Sequence, residues 1–248
     1  MARISYQLYC SRNFPPLGNT LKMLATAGFS EVEGYGGLFD DLQGLQAGLD
    51  ENGLRMTSSH MGLDLVGDNP GRAISIANQL GIEKVFVPFI GPDERPTNTK
   101  GWINFAEGIA EMGKPLQDAG LTFGWHNHDF ELNVTETGEM PLDLLVQGSP
   151  DMTLELDLGW VRVAGQDPVA WINKYAGRLS AVHIKDIAQD GDCVDEDGWA
   201  DVGHGIMDWP AIHAALRAAN VDHYVVEHDN PSDDTRFATR SLASAQAF

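Results

Sequence analysis

Short β-like runs alternate with longer amphipathic stretches along all 248 residues of this chain. Eight such runs recur at intervals of about 30 residues, the length of one strand–helix unit. Strands that alternate with helices favour a parallel sheet, because each crossover between parallel strands needs a helix. Eight strand–helix units are the count of a (β/α)8 (TIM) barrel, so the sequence predicts an α/β protein of this architecture. The predicted strands begin at Ile4, Glu31, Arg55, Lys84, Leu121, Met152, Leu179 and His223.

The stretches between these runs carry helix start and stop signals. Apolar residues recur at helical spacing before Gly28 and again before Gly81, where glycine favours termination. Asp208 precedes Pro210 in the order of a helix cap followed by a first-turn proline. The first run is not followed by a GxGxxG segment, which an open dinucleotide-binding sheet often shows. Because no linker interrupts the series, we predict a single domain over residues 1–248.

The charge of the chain limits its partners. Lys and Arg total 16 against 36 Asp and Glu, a formal net charge of -20. Nucleic acids and anionic membranes bind basic surfaces, so we expect neither. Cys10 and Cys193 lie far apart and form no CxxC motif, and the N-terminus lacks a signal-peptide core, so we expect a cytoplasmic protein. The expected partner is a small-molecule substrate, and association into a homo-oligomer is left open.

The ends of the last four predicted strands carry polar residues in pairs spaced two positions apart. Alternate residues share one strand face, and catalytic groups of TIM barrels lie at the C-terminal strand ends. Unpaired charges brought together there are costly, and a divalent cation would offset that cost. His, Asp and Glu suit Mn, Zn, Co, Mg or Fe, with one ligand from each strand leaving coordination positions open. The pairs are His126 and His128, Glu155 and Asp157, His183 and Lys185, and Glu227 and Asp229.

Five segments, in order, resemble the xylose isomerase-like sugar phosphate isomerase/epimerase superfamily: GWHNHDFEL, LELDLGWVRVAGQDP, GRLSAVHIKD, DVGHGIMDWPAI and HYVVEHDNP. QLYCSR and SSHMGLD fit as well, so the resemblance covers nearly the whole chain. It implies one divalent metal held by Glu, Asp, His and Glu from the last four barrel strands. Asp157, His183 and Glu227 match the last three of these positions. His126 stands where many members have Glu, and we expect it to ligate the metal instead.

The resemblance also implies the reaction. We expect an isomerase or epimerase that abstracts a proton next to a carbonyl of a sugar or keto-sugar, with metal stabilisation of the enediolate. A related branch that shares the HNHDFE segment resembles lyases or hydratases acting on 3-keto-glycosides or cyclitols, as inosose dehydratase does. The catalytic candidates are His128, Lys185 and Glu227. A nearby metal would lower the pKa of Lys185, whereas a salt bridge to Glu155 or Asp157 is the structural alternative.

Further residues are candidates for substrate contact. The aromatic rings of Trp160 and Trp125 could cover a sugar ring or belong to the core. The glycine-rich loop after the seventh run is a candidate lid. Glu131 is a candidate partner for one of the histidines. The predicted substrate-binding residues are Gln7, His60, Trp160, Glu155, His204 and Asp229.

Two other functions compete with these enzymes. The superfamily includes abasic-site endonucleases, but these need a basic DNA-facing surface and ligands for three zinc ions, which this acidic chain lacks. An inactive barrel that serves as a binding subunit would explain the missing glutamate at position 126. Binding of a divalent metal would separate the catalytic hypothesis from the inactive one.

Overall fold

A computed structural model describes residues 2–248 and contains one closed barrel of eight parallel strands. Around the barrel the order is β1, β2, β3, β4, β5, β6, β7 and β10, with labels that follow the chain. All eight predicted runs form these strands, which confirms the (β/α)8 architecture. The strands are β1 Arg3–Gln7, β2 Glu31–Gly34, β3 Arg55–His60, β4 Lys84–Val87, β5 Thr122–His126, β6 Thr153–Asp157, β7 Leu179–Ile184 and β10 His223–Val226.

Nine α-helices within residues 2–248 surround the barrel. Asp208 caps α8 by accepting a hydrogen bond from the Ala211 amide, as the sequence predicts. Gly28 ends α1 in the left-handed conformation that glycine adopts without a steric penalty. In the described part of the chain, no helix has the length and apolar character to cross a membrane. The helices are α1 Leu17–Ala27, α2 Leu42–Asn52, α3 Pro70–Leu80, α4 Thr99–Asp118, α5 Pro141–Gly148, α6 Leu158–Val163, α7 Pro168–Lys174, α8 Trp209–Ala218 and α9 Asp234–Ala247.

The loop after β7 contains a short antiparallel strand pair and is hydrogen-bonded to neighbouring segments. Within it β8 Asp186–Ile187 pairs antiparallel with β9 Trp199–Ala200. The Asp186 carboxylate accepts hydrogen bonds from Gly203 N at 2.9 Å and from Trp209 Nε1 at 2.7 Å. A Cβ atom at Gly205 would lie 2.1 Å from the Ile187 carbonyl oxygen, so this close approach requires glycine. The candidate lid is therefore anchored to the start of α8.

Strand alternation separates the apolar core from the polar interior. The residues that alternate with the polar pairs on the last strands face outward and are all buried: Leu154, Leu156, Val182 and Val226. Trp125 belongs to this outward set, because it neighbours His126 on the strand. Its indole is fully buried, and its ring centroid lies 5.8 Å from that of Phe105 on α4. Of the two alternatives for Trp125, core packing is the correct one.

Candidate metal and substrate site

The last four barrel strands bring their predicted polar residues to one level. β5, β6, β7 and β10 are neighbours around the barrel. His126 is in register with Glu155, and Asp157 is in register with His183. Since the strands are parallel and aligned in this way, their carboxyl ends meet at the same edge.

The predicted ligands form one compact group, hereafter the ligand group: His126, Asp157, His183 and Glu227. Each offers a ligand atom, and these atoms all lie within 4.8 Å of one another. His183 Nδ1 lies 2.8 Å from Glu227 Oε2 and 3.8 Å from Asp157 Oδ2. All four side chains are buried. The donor set combines imidazole nitrogen with carboxylate oxygen, which suits a catalytic divalent metal.

Asp157 has one carboxylate oxygen that is placed to accept a cation. Its Oδ1 accepts a hydrogen bond from Trp160 N at 2.8 Å and caps α6, so its orientation is fixed. Its Oδ2 is buried and has no hydrogen-bond partner among residues 2–248. Burial raises the pKa of Asp157 to about 8, although the charges of Lys185 and His183 oppose that rise. A buried carboxylate oxygen without a partner is unfavourable unless a cation or donor approaches it.

A second layer of polar side chains lies deeper in the barrel. Glu33 Oε1 lies 2.7 Å from His183 Nε2 and 2.8 Å from Gln7 Nε2. Glu155 Oε2 lies 2.7 Å from His60 Nε2 and 3.2 Å from His183 Nε2. Gln7, Glu33 and Glu155 are fully buried. This placement differs from the substrate contacts predicted for Gln7 and Glu155, because both side chains are enclosed beneath the histidines.

Two overlapping groups could therefore hold a cation. His60, His126, Glu155 and His183 also bring their ligand atoms within 4.8 Å of one another. This deeper set shares His126 and His183 with the ligand group. A single metal could bind at either position. In the deeper set Glu155 would supply the carboxylate, and in the ligand group Asp157 and Glu227 would supply it.

Glu33 was missed by the sequence reading. It lies in the predicted strand that contains Glu31 and Glu33 on either side of Val32. Two glutamates spaced two residues apart on an inward face are costly without partners, and that spacing is the available signal. Glu33 belongs to β2, outside the last four strands whose ends carry the paired polar residues.

Lys185 is surrounded by carboxylates at the mouth of the barrel. Its ammonium lies 2.6 Å from Asp229, 3.2 Å from Glu227 and 3.9 Å from Asp157. Burial lowers the pKa of Lys185, but these carboxylates raise it by more, to well above its usual value. The predicted salt bridge to Asp157 is present, but the shortest contact is to Asp229, which was not predicted as a partner. In the chain without a metal Lys185 is thus a buried cation, whereas the lowered pKa and the role of base were predicted for the chain with a metal bound and stay predictions.

His128 lies at the mouth of the barrel next to aromatic side chains. Its ring centroid lies 5.2 Å from that of Phe89 and 5.3 Å from that of Trp160. Burial, together with the proximity of His126 and of the Lys185 ammonium, lowers the pKa of His128 well below its usual value. A neutral imidazole at this position can accept a proton.

Glu131 supports His128 through its backbone rather than through an imidazole. Its Oε2 accepts a hydrogen bond from His128 N at 2.9 Å, and its Oε1 accepts one from Trp125 Nε1 at 2.9 Å. Burial raises the pKa of Glu131 to about 7, and the two hydrogen bonds oppose that rise. Glu131 therefore links the outward core residue Trp125 to the segment that carries His128.

The other predicted contacts fall on two sides of the molecule. Trp160 packs against Trp199, with ring centroids 4.9 Å apart, and the ammonium of Lys185 lies 4.2 Å from the Trp199 ring centroid. Trp199, on β9, is a site residue that the sequence did not identify. His204 is exposed and contacts Arg240 of α9 at 2.7 Å. The structure thus brings Trp160 and Asp229 to the ligand group but does not bring His204 there.

Comparisons with known proteins agree with this geometry. A family model described as a xylose isomerase-like TIM barrel matches residues 21–245. An inosose dehydratase from Clostridium beijerinckii is 31% identical over 93 residues, which cover 38% of this chain and only 31% of that relative.

Solved structures share the whole fold. A sugar phosphate isomerase/epimerase from Parabacteroides distasonis ATCC 8503 has a TM-score of 0.81 at 24% identity, covering 100% of this chain and 94% of that one. An IOLI protein with a bound zinc atom has a TM-score of 0.79 at 14% identity, covering 100% and 97% of the two chains. The barrel, the order of its site residues and the family match lead to one conclusion: this chain belongs to the xylose isomerase-like TIM-barrel family.

Proposed function

We propose that this protein is a divalent-metal-dependent enzyme that abstracts a proton next to a carbonyl of a sugar, keto-sugar or cyclitol. One observation carries the proposal. Four ligand atoms from four neighbouring strands lie within 4.8 Å of one another, and one of their carboxylates keeps a buried oxygen without a partner. A metal bound by His126, Asp157, His183 and Glu227 would polarise the substrate carbonyl and stabilise the negative charge that develops after loss of the proton.

The side chains around the ligand group divide the remaining work. His128 is partly exposed at the mouth, and its neutral imidazole accepts the proton from carbon. Trp160 and Phe89 flank His128 and exclude water from the proton transfer. Lys185 is fully buried behind Asp229, so it holds Asp229 and Glu227 in place and does not touch the substrate.

A dehydratase is the second candidate. The resemblance implies a pair of glutamates for an epimerase; His126 replaces the first of them and Glu227 keeps the second, which favours chemistry on one face of the substrate. In a dehydration, His128 removes the proton from carbon and the C–H electron pair forms a C=C bond. The neighbouring C–O bond breaks, and the proton returns to the departing oxygen, which leaves as water. The partial similarity to an inosose dehydratase supports this candidate.

Deuterium exchange tests both candidates. The purified protein is analysed for bound metal and is then incubated in D2O with an inosose, a 3-keto-glucoside or a ketose. We expect deuterium at the carbon next to the carbonyl by NMR, and the product separates dehydration from isomerisation. Failure of the protein to take up Mn, Co or Zn would remove the basis of the proposal and favour an inactive binding barrel.

Asp157→Asn is the informative variant. The amide keeps the oxygen that caps α6 but removes the charge at the unpartnered position, so the fold should persist. We expect loss of bound metal and a decrease in kcat/KM on the order of 10³-fold. Asp208→Asn is the matched control, since Asp208 caps α8 in the same way outside the site. Full metal content in Asp157→Asn would contradict the ligand assignment.

A further inference from the structure

We propose that Glu33 and Glu155, the inner carboxylate pair, position the two histidine ligands from below and thereby set the metal affinity. This inference rests on the proposed metal site. It assigns a role to Glu33 and Glu155 beyond the ligands themselves, as residues that act through His183 and His126 without contacting the metal.

The two ring nitrogens of His183 face different partners. Nδ1 faces Glu227 at 2.8 Å, on the side of the ligand group. Nε2 faces Glu33 Oε1 at 2.7 Å, on the opposite side. A metal-bound histidine usually donates its other N–H to a carboxylate, which fixes the tautomer and the ring orientation. Glu33 therefore holds the proton on Nε2 and leaves the Nδ1 lone pair free for the metal.

Glu33 is itself held in place. Its Oε1 accepts a hydrogen bond from Gln7 Nε2 at 2.8 Å and lies 3.3 Å from His60 Nε2. The Gln7 Oε1 atom in turn accepts a hydrogen bond from Tyr9 N at 3.0 Å. The chain of contacts runs from the mouth at Tyr9, through Gln7 and Glu33, to His183. A carboxylate fixed in this way orients an imidazole better than a mobile one.

Glu155 lies beside His126 in a close contact rather than a hydrogen bond. The two residues are register partners on adjacent strands, and Glu155 Oε2 lies 3.3 Å from His126 Nδ1. His126 occupies the strand-end position at which the family resemblance leads us to expect a carboxylate ligand. The negative charge absent from that position is present one layer deeper, on Glu155. The pair thus supplies both histidines with an anionic partner.

Metal titration of matched variants tests the inference. Glu33→Gln, Glu155→Gln and Glu31→Gln are titrated with Mn²⁺ and Co²⁺ by calorimetry, and the Co²⁺ absorption spectrum reports the coordination. Glu31 is the control, because it is a buried glutamate on the same strand that contacts Arg55 and Thr57 instead of the histidines. We expect roughly 10- to 100-fold weaker binding in Glu33→Gln and Glu155→Gln. Glu31→Gln should bind the metal as the unchanged protein does.

Two results would overturn the inference while leaving the proposed function intact. One is unchanged affinity in both Glu33→Gln and Glu155→Gln. The other is complete loss of binding in Glu155→Gln with retention in Asp157→Asn, which would place the metal in the deeper set of ligands. Absence of binding by the unchanged protein would instead defeat the proposed function itself.

A measurement without substitution covers the case in which a variant fails to fold. ¹⁵N NMR of the Zn²⁺-loaded protein distinguishes the two ring nitrogens of each histidine. We expect His183 to carry its proton on Nε2 and to bind the metal through Nδ1. Metal binding through Nε2 would overturn the role of Glu33.

Discussion

The two ends of this barrel both carry buried charged side chains, but the two ends differ in how many of the buried polar atoms have hydrogen-bond partners. At the N-terminal end, Lys84 Nζ donates to the Ser180 carbonyl at 2.6 Å, and His223 Nε2 lies 2.8 Å from Ser5 Oγ. Glu31 accepts hydrogen bonds from Arg55 and Thr57. At the C-terminal end, buried polar atoms of six side chains near the mouth lack hydrogen-bond partners within residues 2–248. These atoms are Glu33 Oε2, His126 Nδ1, His128 Nδ1, Glu155 Oε1, Asp157 Oδ2 and Trp160 Nε1.

The difference distinguishes polar groups that stabilise the fold from polar groups that remain available to bind a ligand. Both ends bury charge inside the same scaffold, so burial by itself does not mark a site. Unsatisfied atoms are costly, and they persist where a ligand completes their coordination. Among residues 2–248 the N-terminal end leaves one such atom, Ser58 Oγ on the register partner of Lys84, whereas the C-terminal end leaves the six named above and so has the larger capacity to bind a ligand.

The largest expected effect comes from the buried cation at the mouth. Lys185→Met removes the ammonium that contacts Asp229, Glu227 and Asp157. Breaking a buried ion pair from one side costs about 3–5 kcal/mol, so we expect a loss of this size in the free energy of unfolding. Urea denaturation measures it, and saturating Mn²⁺ should recover part of the loss because it supplies positive charge. A loss under about 1 kcal/mol would show that water already solvates these carboxylates.

A smaller effect is expected when a carboxylate is placed at position 126 on β5, next to Glu155 on β6. His126→Glu restores the family's usual residue but places a carboxylate against Glu155, whose Oε2 lies 3.3 Å from the present imidazole. Like charges at this distance repel, so we expect about tenfold weaker Mn²⁺ binding. Adding Glu155→Gln should restore most of the affinity, and calorimetry of the double-mutant cycle measures the coupling. Tighter binding in His126→Glu alone would contradict this account.

The N-terminal end provides the matched lysine. Lys84→Met removes an ammonium that contacts the Ser180 carbonyl and His223 rather than a set of carboxylates. We expect a loss of about 1 kcal/mol in the free energy of unfolding, the value of an ordinary hydrogen bond. Metal affinity should not change. A loss as large as that of Lys185→Met would remove the distinction between the two ends.

The smallest effect concerns the anchor of the loop after β7. Burial raises the pKa of Glu196, but hydrogen bonds from Ser232 and Arg236 lower it by more, so that the pKa is about 2. Because this pKa is depressed, the contacts of Glu196 with Ser232 and Arg236 are fully present above pH 4.3, about the ordinary pKa of a glutamate. They weaken as the pH falls toward 2. Hydrogen exchange of residues 188–207 between pH 5 and 2 should show increasing exposure. Glu196→Gln should remove that pH dependence, and an unchanged profile would contradict it.

The sequence by itself determined the barrel and the composition of the ligand group. The recurring strand-like runs are a local pattern, and so are the paired polar residues at the ends of those runs. The fold confirms the eight strands that the first pattern predicts. His126, Asp157, His183 and Glu227 come together because neighbouring parallel strands end at one edge. The outward placement of Trp125 also follows from simple alternation with His126, although its role as a core residue needed the contact with Phe105.

Only the tertiary structure decided which carboxylate each cation and each histidine meets. Glu33 and His183 are separated by 150 positions and belong to strands that are not neighbours in the barrel, so no local pattern joins them. Lys185 contacts Asp229 in the segment after the adjacent strand, and the charges of Glu227 and Asp229 raise its pKa in the chain without a metal. Strand alternation fixes the face of a residue, but distances across the barrel axis depend on closure, register and side-chain rotamers together.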